Sequence, residues 1–89
     1  MPQKKIKIIN KLGLHARASM KLVNLAGRFQ SEIIISYQQR EINAKSIMSL
    51  MAIGASCGHE ILIKTSGDDQ EAAIEAIEAL FNDRFGEGE

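Results

Sequence analysis

The sequence predicts an α+β fold in which a small β-sheet carries helices on one face and leaves its other face open to water. The prediction comes from the alternation of two periods. Short segments with an apolar residue at every second position, typical of strands, are separated by segments with the period of amphipathic helices. Their order is β-α-β-β-α-β-α. A chain of 89 residues has the size of one domain, which we assign to residues 1–89.

The first strand and the first helix follow from a change of period near the start of the chain. Residues 5–8 alternate lysine with isoleucine and predict a strand. Asn10 and Gly13 are turn formers, and a helical period then extends from Ala16 to Phe29. Its apolar stripe consists of Ala18, Leu22, Leu25, Ala26 and Phe29, and its polar stripe of Arg17, Lys21, Asn24 and Arg28.

A hairpin and a short helix are predicted in the middle of the chain. Residues 32–37 are rich in β-branched side chains, and residues 40–44 form a second short extended run. The two glutamines at 38–39 then form the hairpin turn, although glutamine is not a favoured residue there. Ser46 is placed to cap a helix over residues 47–53.

The last strand and the last helix complete the order. Residues 60–65 predict the fourth strand, with two isoleucines facing the same side. Asp68 and Glu71 resemble a capping box that opens the helix, and Gly86 is expected to stop it. Residues 86–89 are expected to form a frayed tail. The apolar face of the helix consists of Ala73, Ile74, Ile77, Leu80 and Phe81.

Composition and charge argue against several classes of protein. Eleven basic and eleven acidic residues cancel, whereas nucleic-acid binding usually needs a basic surplus. No apolar run approaches the roughly 20 residues of a membrane span, and no signal peptide opens the chain. Because the single Cys57 cannot form an internal disulfide, we expect a reducing cytoplasm. A cytoplasmic monomer that binds neither nucleic acid nor membrane is therefore the expectation.

His15 lies where the first helix is predicted to begin. The first turn of a helix has backbone N–H groups without helical partners and the positive end of the dipole, so it favours phosphate and a neutral imidazole. Neutral imidazole is a nucleophile that can attack a phosphoryl donor, and Arg17 would contact the resulting dianion. Gly13 would let a bulky donor approach closely. The alternative, a merely solvated surface histidine, stays open from these residues alone.

Other chemistry has little support in the sequence. The second histidine, His59, lies near Cys57, but a Cys-x-His pair is far short of a metal-ligand set. Cys57 is expected to pack as a small hydrophobic residue and His59 to begin a strand. No phosphate-binding loop of the Walker type and no catalytic Ser-His-Asp arrangement is recognisable. We therefore expect no metal and no cofactor.

Two motifs resemble the HPr family, the histidine-containing phosphocarriers of the bacterial phosphotransferase system. GLHARA at residues 13–18 is similar to the active-site signature of that family, and NAKSIM at residues 43–48 is similar to its second motif. The resemblance implies an open-faced β-sandwich with a four-stranded antiparallel sheet covered on one face by helices. It also implies a carrier rather than an enzyme, which accepts a phosphoryl group from Enzyme I and passes it to an EIIA domain.

Carried over residue by residue, the first motif makes His15 the phosphorylated residue, through Nδ1, with Arg17 binding and releasing the phosphoryl group. The backbone at Ala16, Arg17 and Ala18 would bind the phosphate. Ala18 replaces the proline that is commonest in the family, so it keeps an N–H that proline lacks and gives up some rigidity. We expect a working site with a slightly more mobile first turn.

The second motif implies a docking surface and a regulatory serine. Met20, Ile47, Met48 and Met51 would contact Enzyme I and EIIA, since exposed methionines suit surfaces with several partners. Ser46, besides capping its helix, would be phosphorylated by an HPr kinase/phosphorylase where one is present. The sugar and nitrogen-regulatory branches of the system remain open. So does the alternative of a non-catalytic binding module that acts on metabolic regulators by contact, switched at Ser46.

Overall fold

The computed structural model describes residues 2–87 and has the predicted α+β fold, an open-faced sandwich in the predicted element order. The four strands are β1 (Gln3–Lys7), β2 (Glu32–Tyr37), β3 (Arg40–Asn43) and β4 (Glu60–Ser66). The three α-helices are α1 (Ala16–Ala26), α2 (Ile47–Ala52) and α3 (Gln70–Asn82). Within residues 2–87, no helix has the length and apolar character needed to cross a membrane.

The sheet has the strand order β1-β4-β2-β3, and every neighbouring pair is antiparallel. Central β4 therefore pairs with β1 on one side and β2 on the other, with Ile61 opposite Ile6 and Ile63 opposite Ile35. These four isoleucines are buried, because alternate side chains of each strand face the helices. The other face is mostly polar, with the half-buried Ile34 and Leu62 among charged and polar side chains, so one side of the sheet forms the core and the other meets water.

The apolar stripe predicted for α1 faces the core, but the α-helix is shorter than predicted. Ala18, Leu22 and Ala26 are fully buried. The α-helix ends at Ala26, three residues before Phe29, because Gly27 is a poor helix former and the next N–H groups bond three residues back. This tighter turn still holds Phe29 against the core, where it is partly buried.

The predicted hairpin joins β2 to β3 through a two-residue turn. Gln38 has φ of 50° and Gln39 has φ of 68°, so both lie in the left-handed region that favours glycine. The right-handed twist of the paired strands selects this turn geometry despite the residue type. The sheet therefore overrides a local preference.

The capping-box prediction for α3 is wrong. The residue that precedes the helix is Asp69 rather than Asp68, and its side chain caps no helical N–H. Its carboxylate instead accepts hydrogen bonds from the Ser31 hydroxyl and from the N–H groups of Gln30 and Ser31, the latter two at 2.9 Å. The Ser31 hydroxyl, followed by the Gln30 N–H, lowers the pKa of Asp69. The carboxylate thus ties α3 to the segment between α1 and β2.

The prediction that Gly86 ends α3 is also wrong. The helix ends at Asn82, and the chain reverses through a single turn, Arg84–Gly86. Arg84 and Phe85 both have φ of 54°, and Gly86 has φ of 76°. This reversal returns the end of the chain toward the start of α1.

Candidate functional site

His15 is the residue that immediately precedes α1, as the sequence predicts. Its backbone is extended, and its carbonyl accepts the first helical hydrogen bond from Ser19 N–H at 2.8 Å. Its side chain caps no backbone group of the helix. The N–H groups of Ala16, Arg17 and Ala18 therefore have no partner inside α1 and are available to an anion.

An open groove of about 610 Å³ lies in front of this helix start. It is lined by Lys11, Leu12, His15, Ala16, Arg17, Gly86 and Glu87. Lys11 and Arg17 add positive charge to the positive end of the helix dipole. Arg17 is exposed, whereas the side chain of His15 is 27% exposed. The groove thus combines a nucleophilic ring nitrogen with groups that stabilise a phosphate.

Glu87 contacts His15 directly, so the prediction of a frayed tail is wrong at Gly86 and Glu87. The imidazole Nε2 of His15 bonds Oε2 of Glu87, and Asn10 Nδ2 donates to Oε1 at 3.1 Å. The Glu87 side chain is only 13% exposed. Residues 88 and 89, the rest of the predicted tail, lie outside the described residues.

The surroundings of Glu87 favour its ionised form. Burial raises the pKa of Glu87, but the Asn10 amide, His15 and the charge of Lys21 lower it by more, so the net shift is downward. An ionised carboxylate only accepts hydrogen bonds. Nε2 of His15 is therefore the donor in this contact.

The turn that delivers Glu87 is anchored by the buried Phe85. This ring is 1% exposed and packs edge-on against Phe81, with ring centroids 4.9 Å apart. Lys21 Nζ also donates to the Phe85 carbonyl at 2.5 Å. A left-handed non-glycine residue costs about 1–2 kcal/mol, and burying a phenylalanine contributes about 1.5–3 kcal/mol. Packing of Phe85 is thus large enough to offset much of the strain at Arg84 and Phe85.

Gly13 serves the interior of the protein rather than the approach of a partner. It is buried with φ of +64°, and a Cβ there would lie 2.7 Å from the Ala55 carbonyl oxygen. Leu14 N–H donates to the same oxygen at 3.1 Å. The expectation that Gly13 opens the loop to a bulky donor is therefore wrong, because the loop after α2 already occupies that side.

Ser46 precedes α2 and caps it as predicted. Its extended backbone starts the helix, and its hydroxyl accepts the N–H of Ser49 at 3.4 Å. The serine is half-buried. It therefore lies at a second helix start, separate from that of His15.

An apolar surface adjoins this second helix start. Met48 is 80% exposed, Met20 58% and Met51 49%, while Ile47 is half-buried. Other apolar residues of this segment, Leu50 and Ile53, are buried. A shallow cavity of about 280 Å³ is lined by Met20, Val23, Asn24 and Ile47. The surface therefore joins α1 and α2 across their exposed sides.

The remaining candidate chemistry finds no support in the structure. Cys57 is exposed, so the prediction that it packs as a small hydrophobic residue is wrong. His59 immediately precedes β4, and its Nδ1 accepts from the Tyr37 hydroxyl at 2.6 Å and from Ser56 N–H at 3.1 Å. Across residues 2–87, no group of three or more His, Cys, Asp or Glu side chains is arranged to hold a metal ion.

The chain is similar to known proteins along nearly its whole length, including the residues that line this groove. The protein-family model described as "PTS HPr component phosphorylation site" matches residues 2–83 of the chain. The phosphocarrier protein HPr of Cupriavidus necator is 49% identical over 89 residues, with full coverage of both chains. A crystal structure of HPr from Thermoanaerobacter tengcongensis superposes with a TM-score of 0.95 at 41% identity, covering 98% of each chain.

The chain is also similar in structure to a protein whose description refers to catabolite repression. The crystal structure of Crh, a catabolite repression protein of Bacillus subtilis, has a TM-score of 0.76 at 34% identity. It covers 94% of this chain and 97% of its own. The same fold is thus found in proteins named phosphocarriers and in a protein named for catabolite repression.

Proposed function

This chain belongs to the HPr family of phosphocarrier proteins, and on that premise we propose that His15 accepts a phosphoryl group from Enzyme I and passes it to EIIA domains. The protein is a carrier rather than an enzyme, as its family match and its relatives named phosphocarrier protein HPr show. The observation that carries the assignment to His15 is its place at the uncapped start of α1, facing the open groove.

The groove supports this chemistry by stabilising the phosphoryl group once it is bound. Nδ1 of His15 would form the new bond to phosphorus. The phosphoryl oxygens would then accept hydrogen bonds from the N–H groups at Ala16, Arg17 and Ala18 and from the Arg17 guanidinium. These contacts are charge-assisted, so the carrier can hold a reactive P–N bond until the next partner provides stronger stabilisation.

The proposed docking surface consists of Met20, Ile47, Met48 and Met51. Three exposed methionines and the half-buried Ile47 give α1 and α2 a flexible apolar surface, which supports docking of partners there. The exposed Arg17 and Lys21 of α1, with Arg28 just after the helix, would steer acidic partners. We place this exchange in the cytoplasm.

Phosphorylation by Enzyme I and labelled phosphoenolpyruvate tests the carrier function. We expect wild-type protein to take up a label that is acid-labile and base-stable, and His15→Ala to take up none. His59→Ala is the matched control, because it removes the other histidine and should retain the label. A label that persists on His15→Ala would show that another residue is the carrier.

Ser46 is proposed as a regulatory phosphorylation site. A phosphate there would meet free N–H groups at the start of α2 and add negative charge beside the docking surface. Acidic partners that recognise the positive charges of Arg17, Lys21 and Arg28 would then bind more weakly. Mass spectrometry of the protein from its own cells, wild type against Ser46→Ala, tests this, and an unmodified Ser46 under all growth conditions would contradict it.

The second candidate is a regulatory module that acts by contact, without carrying phosphate. The similarity to Crh supports this second candidate, since Crh is named for catabolite repression. The labelling experiment separates the two functions. Failure of the wild-type protein to take up label would favour the contact module, whereas a His15-dependent label favours the carrier. Assays against sugar-type and nitrogen-type EIIA domains would then identify the branch.

A further inference from the structure

We propose that Glu87 is a positioning residue for phosphoryl transfer, because its carboxylate holds His15 in the tautomer whose Nδ1 is free to react. The proposal rests on the proposed function, since it concerns the same histidine. It deepens that function with a residue beyond the family match, which ends at residue 83. The direct contact between His15 Nε2 and Glu87 Oε2 is its starting point.

The carboxylate of Glu87 is fixed from both of its oxygens. Oε2 bonds His15, and Oε1 accepts from Asn10 Nδ2 at 3.1 Å. Asn10 is fully buried, and the same Nδ2 donates to the Gly13 carbonyl at 2.8 Å. Glu87 is therefore attached to the loop that leads into α1, and it approaches His15 from a defined direction.

The backbone that carries Glu87 is fixed as well. Phe85 is buried against Phe81, and its carbonyl accepts a hydrogen bond from Lys21 of α1. Glu87 N–H in turn donates to the Arg84 carbonyl at 2.9 Å. Left-handed residues such as Arg84 and Phe85 persist where the surrounding structure holds them, and such residues concentrate at functional sites.

This arrangement selects one tautomer of the neutral imidazole. A neutral ring has a single N–H, and an ionised carboxylate can only accept, so the proton lies on Nε2. Nδ1 then keeps its lone pair. Within residues 2–87, the only side-chain hydrogen bond that His15 makes is the one to Glu87 through Nε2, so none of these residues engages Nδ1. Without Glu87 both tautomers would be populated, and one of them has its proton on the nitrogen that must react.

The same proton remains in place through the whole transfer. As the Nδ1 lone pair forms a bond to phosphorus, the donor's bond to phosphorus breaks and its electron pair stays with the donor. The ring gains positive charge, retains the proton on Nε2, and is balanced by the Glu87 carboxylate. When the group leaves for the acceptor, the P–N electron pair returns to Nδ1 and the neutral tautomer is restored. No proton is exchanged with water in either direction.

Variants at Glu87 test the role with two measurements on the full chain. Glu87→Ala removes the acceptor, and Glu87→Gln removes the charge but keeps an acceptor oxygen. Glu75→Ala is the matched control, since it removes an exposed carboxylate from the middle of α3. Nitrogen-15 NMR of the His15 ring at alkaline pH reports the tautomer, and labelled phosphoenolpyruvate with Enzyme I reports the phosphorylation rate at saturating donor.

We expect the wild-type and Glu75→Ala proteins to show the Nε2–H tautomer alone. Glu87→Ala should show both tautomers and a phosphorylation rate lower by roughly tenfold, with Glu87→Gln between them. A merely structural role would not move the tautomer ratio. If the wild type takes up label, and Glu87→Ala is phosphorylated at the same rate and shows a single tautomer, the positioning role is overturned while the proposed function stands. A wild type without label overturns the proposed function, and the positioning role with it.

Discussion

The starts of α1 and α2 both present a residue suited to phosphorylation, yet they are built in opposite ways. The hydrogen bonds that Ser46 itself makes within residues 2–87 are local: its N–H donates to the Asn43 carbonyl at 3.0 Å, its hydroxyl accepts from Ser49 at 3.4 Å, and its carbonyl accepts from Leu50 at 3.1 Å. Only its neighbour Lys45 reaches further, to the Phe29 carbonyl at 2.8 Å. His15 instead bonds Glu87, which is 72 positions away in the sequence. Neighbouring Leu14 bonds the loop after α2 through Ala55.

This difference separates a residue held by its own local hydrogen bonds from one held by contacts with distant parts of the chain. The hydrogen bonds of Ser46 itself reach no further than four positions, so we expect its cap to persist when distant parts of the fold change. The His15 start has no side-chain cap and depends on the chain end and on a distant loop. Variants at remote positions should therefore alter the surroundings of His15 while leaving those of Ser46 unchanged.

The largest effect is expected from Phe85→Ala. Removing this buried ring should lower the free energy of unfolding by about 3–5 kcal/mol and release Glu87 from His15. Denaturant unfolding measures the loss, and NMR shifts of the His15 ring and the Ser49 amide compare the two helix starts. Met48→Ala, which truncates a side chain that is 80% exposed, is the control and should stay within about 0.5 kcal/mol of wild type. Equal shifts at both helix starts would contradict the comparison.

Gly13→Ala should have the next largest effect. The added Cβ would lie 2.7 Å from the Ala55 oxygen and 2.8 Å from Ser56 Cα, both backbone atoms that cannot rotate away. Gly54→Ala is a matched control, because Gly54 has nearly the same φ, +65°, with no atom within 4 Å of its Cβ position. We expect Gly54→Ala to lose about 1–2 kcal/mol from backbone strain alone and Gly13→Ala to lose more. Thermal unfolding measures both, and equal losses would show that the loop adjusts freely.

Ser46→Ala should have a smaller, local effect. The capping bond is long at 3.4 Å, so we expect a loss of about 0.5–1 kcal/mol, at the low end for a capping residue. Ser46→Thr retains a capping oxygen and serves as the control. The His15 ring resonances should be the same in both variants. A change there would mean that the two helix starts are coupled.

The smallest effect concerns the acid dependence of stability. Because the pKa of Glu87 is lowered on folding from its ordinary 4.5, ionised Glu87 stabilises the folded state above that pH. This contribution is lost as pH falls through the lower pKa of the folded protein. The wild type should therefore lose more stability than Glu87→Gln between neutral and strongly acidic pH. Unfolding midpoints at several pH values measure the difference, and parallel curves would show that the Glu87 contacts do not favour ionisation.

Local patterns in the sequence predict most of the fold correctly. The run of β-branched residues at 32–37 predicts β2, where it is observed, and the helical stripe of α1 buries Ala18 and Leu22 as expected. The cap of α2 by Ser46 is also predicted correctly, since it involves two residues only three positions apart. The errors lie at the ends of elements, where competing contacts decide. Asp69 bonds Ser31 across the fold, so no pattern near Asp68 could indicate it.

The sequence by itself determined the strand and helix order, the placement of His15 at a helix start and the family motifs around it, because these depend on spacings of a few residues. Only the tertiary structure decided what surrounds that histidine. Phe85 reverses the chain through a strained turn, and Glu87 thereby reaches His15. The physical reason is that burial of one aromatic ring offsets much of the backbone strain in its turn, and that burial exists only once the core has formed.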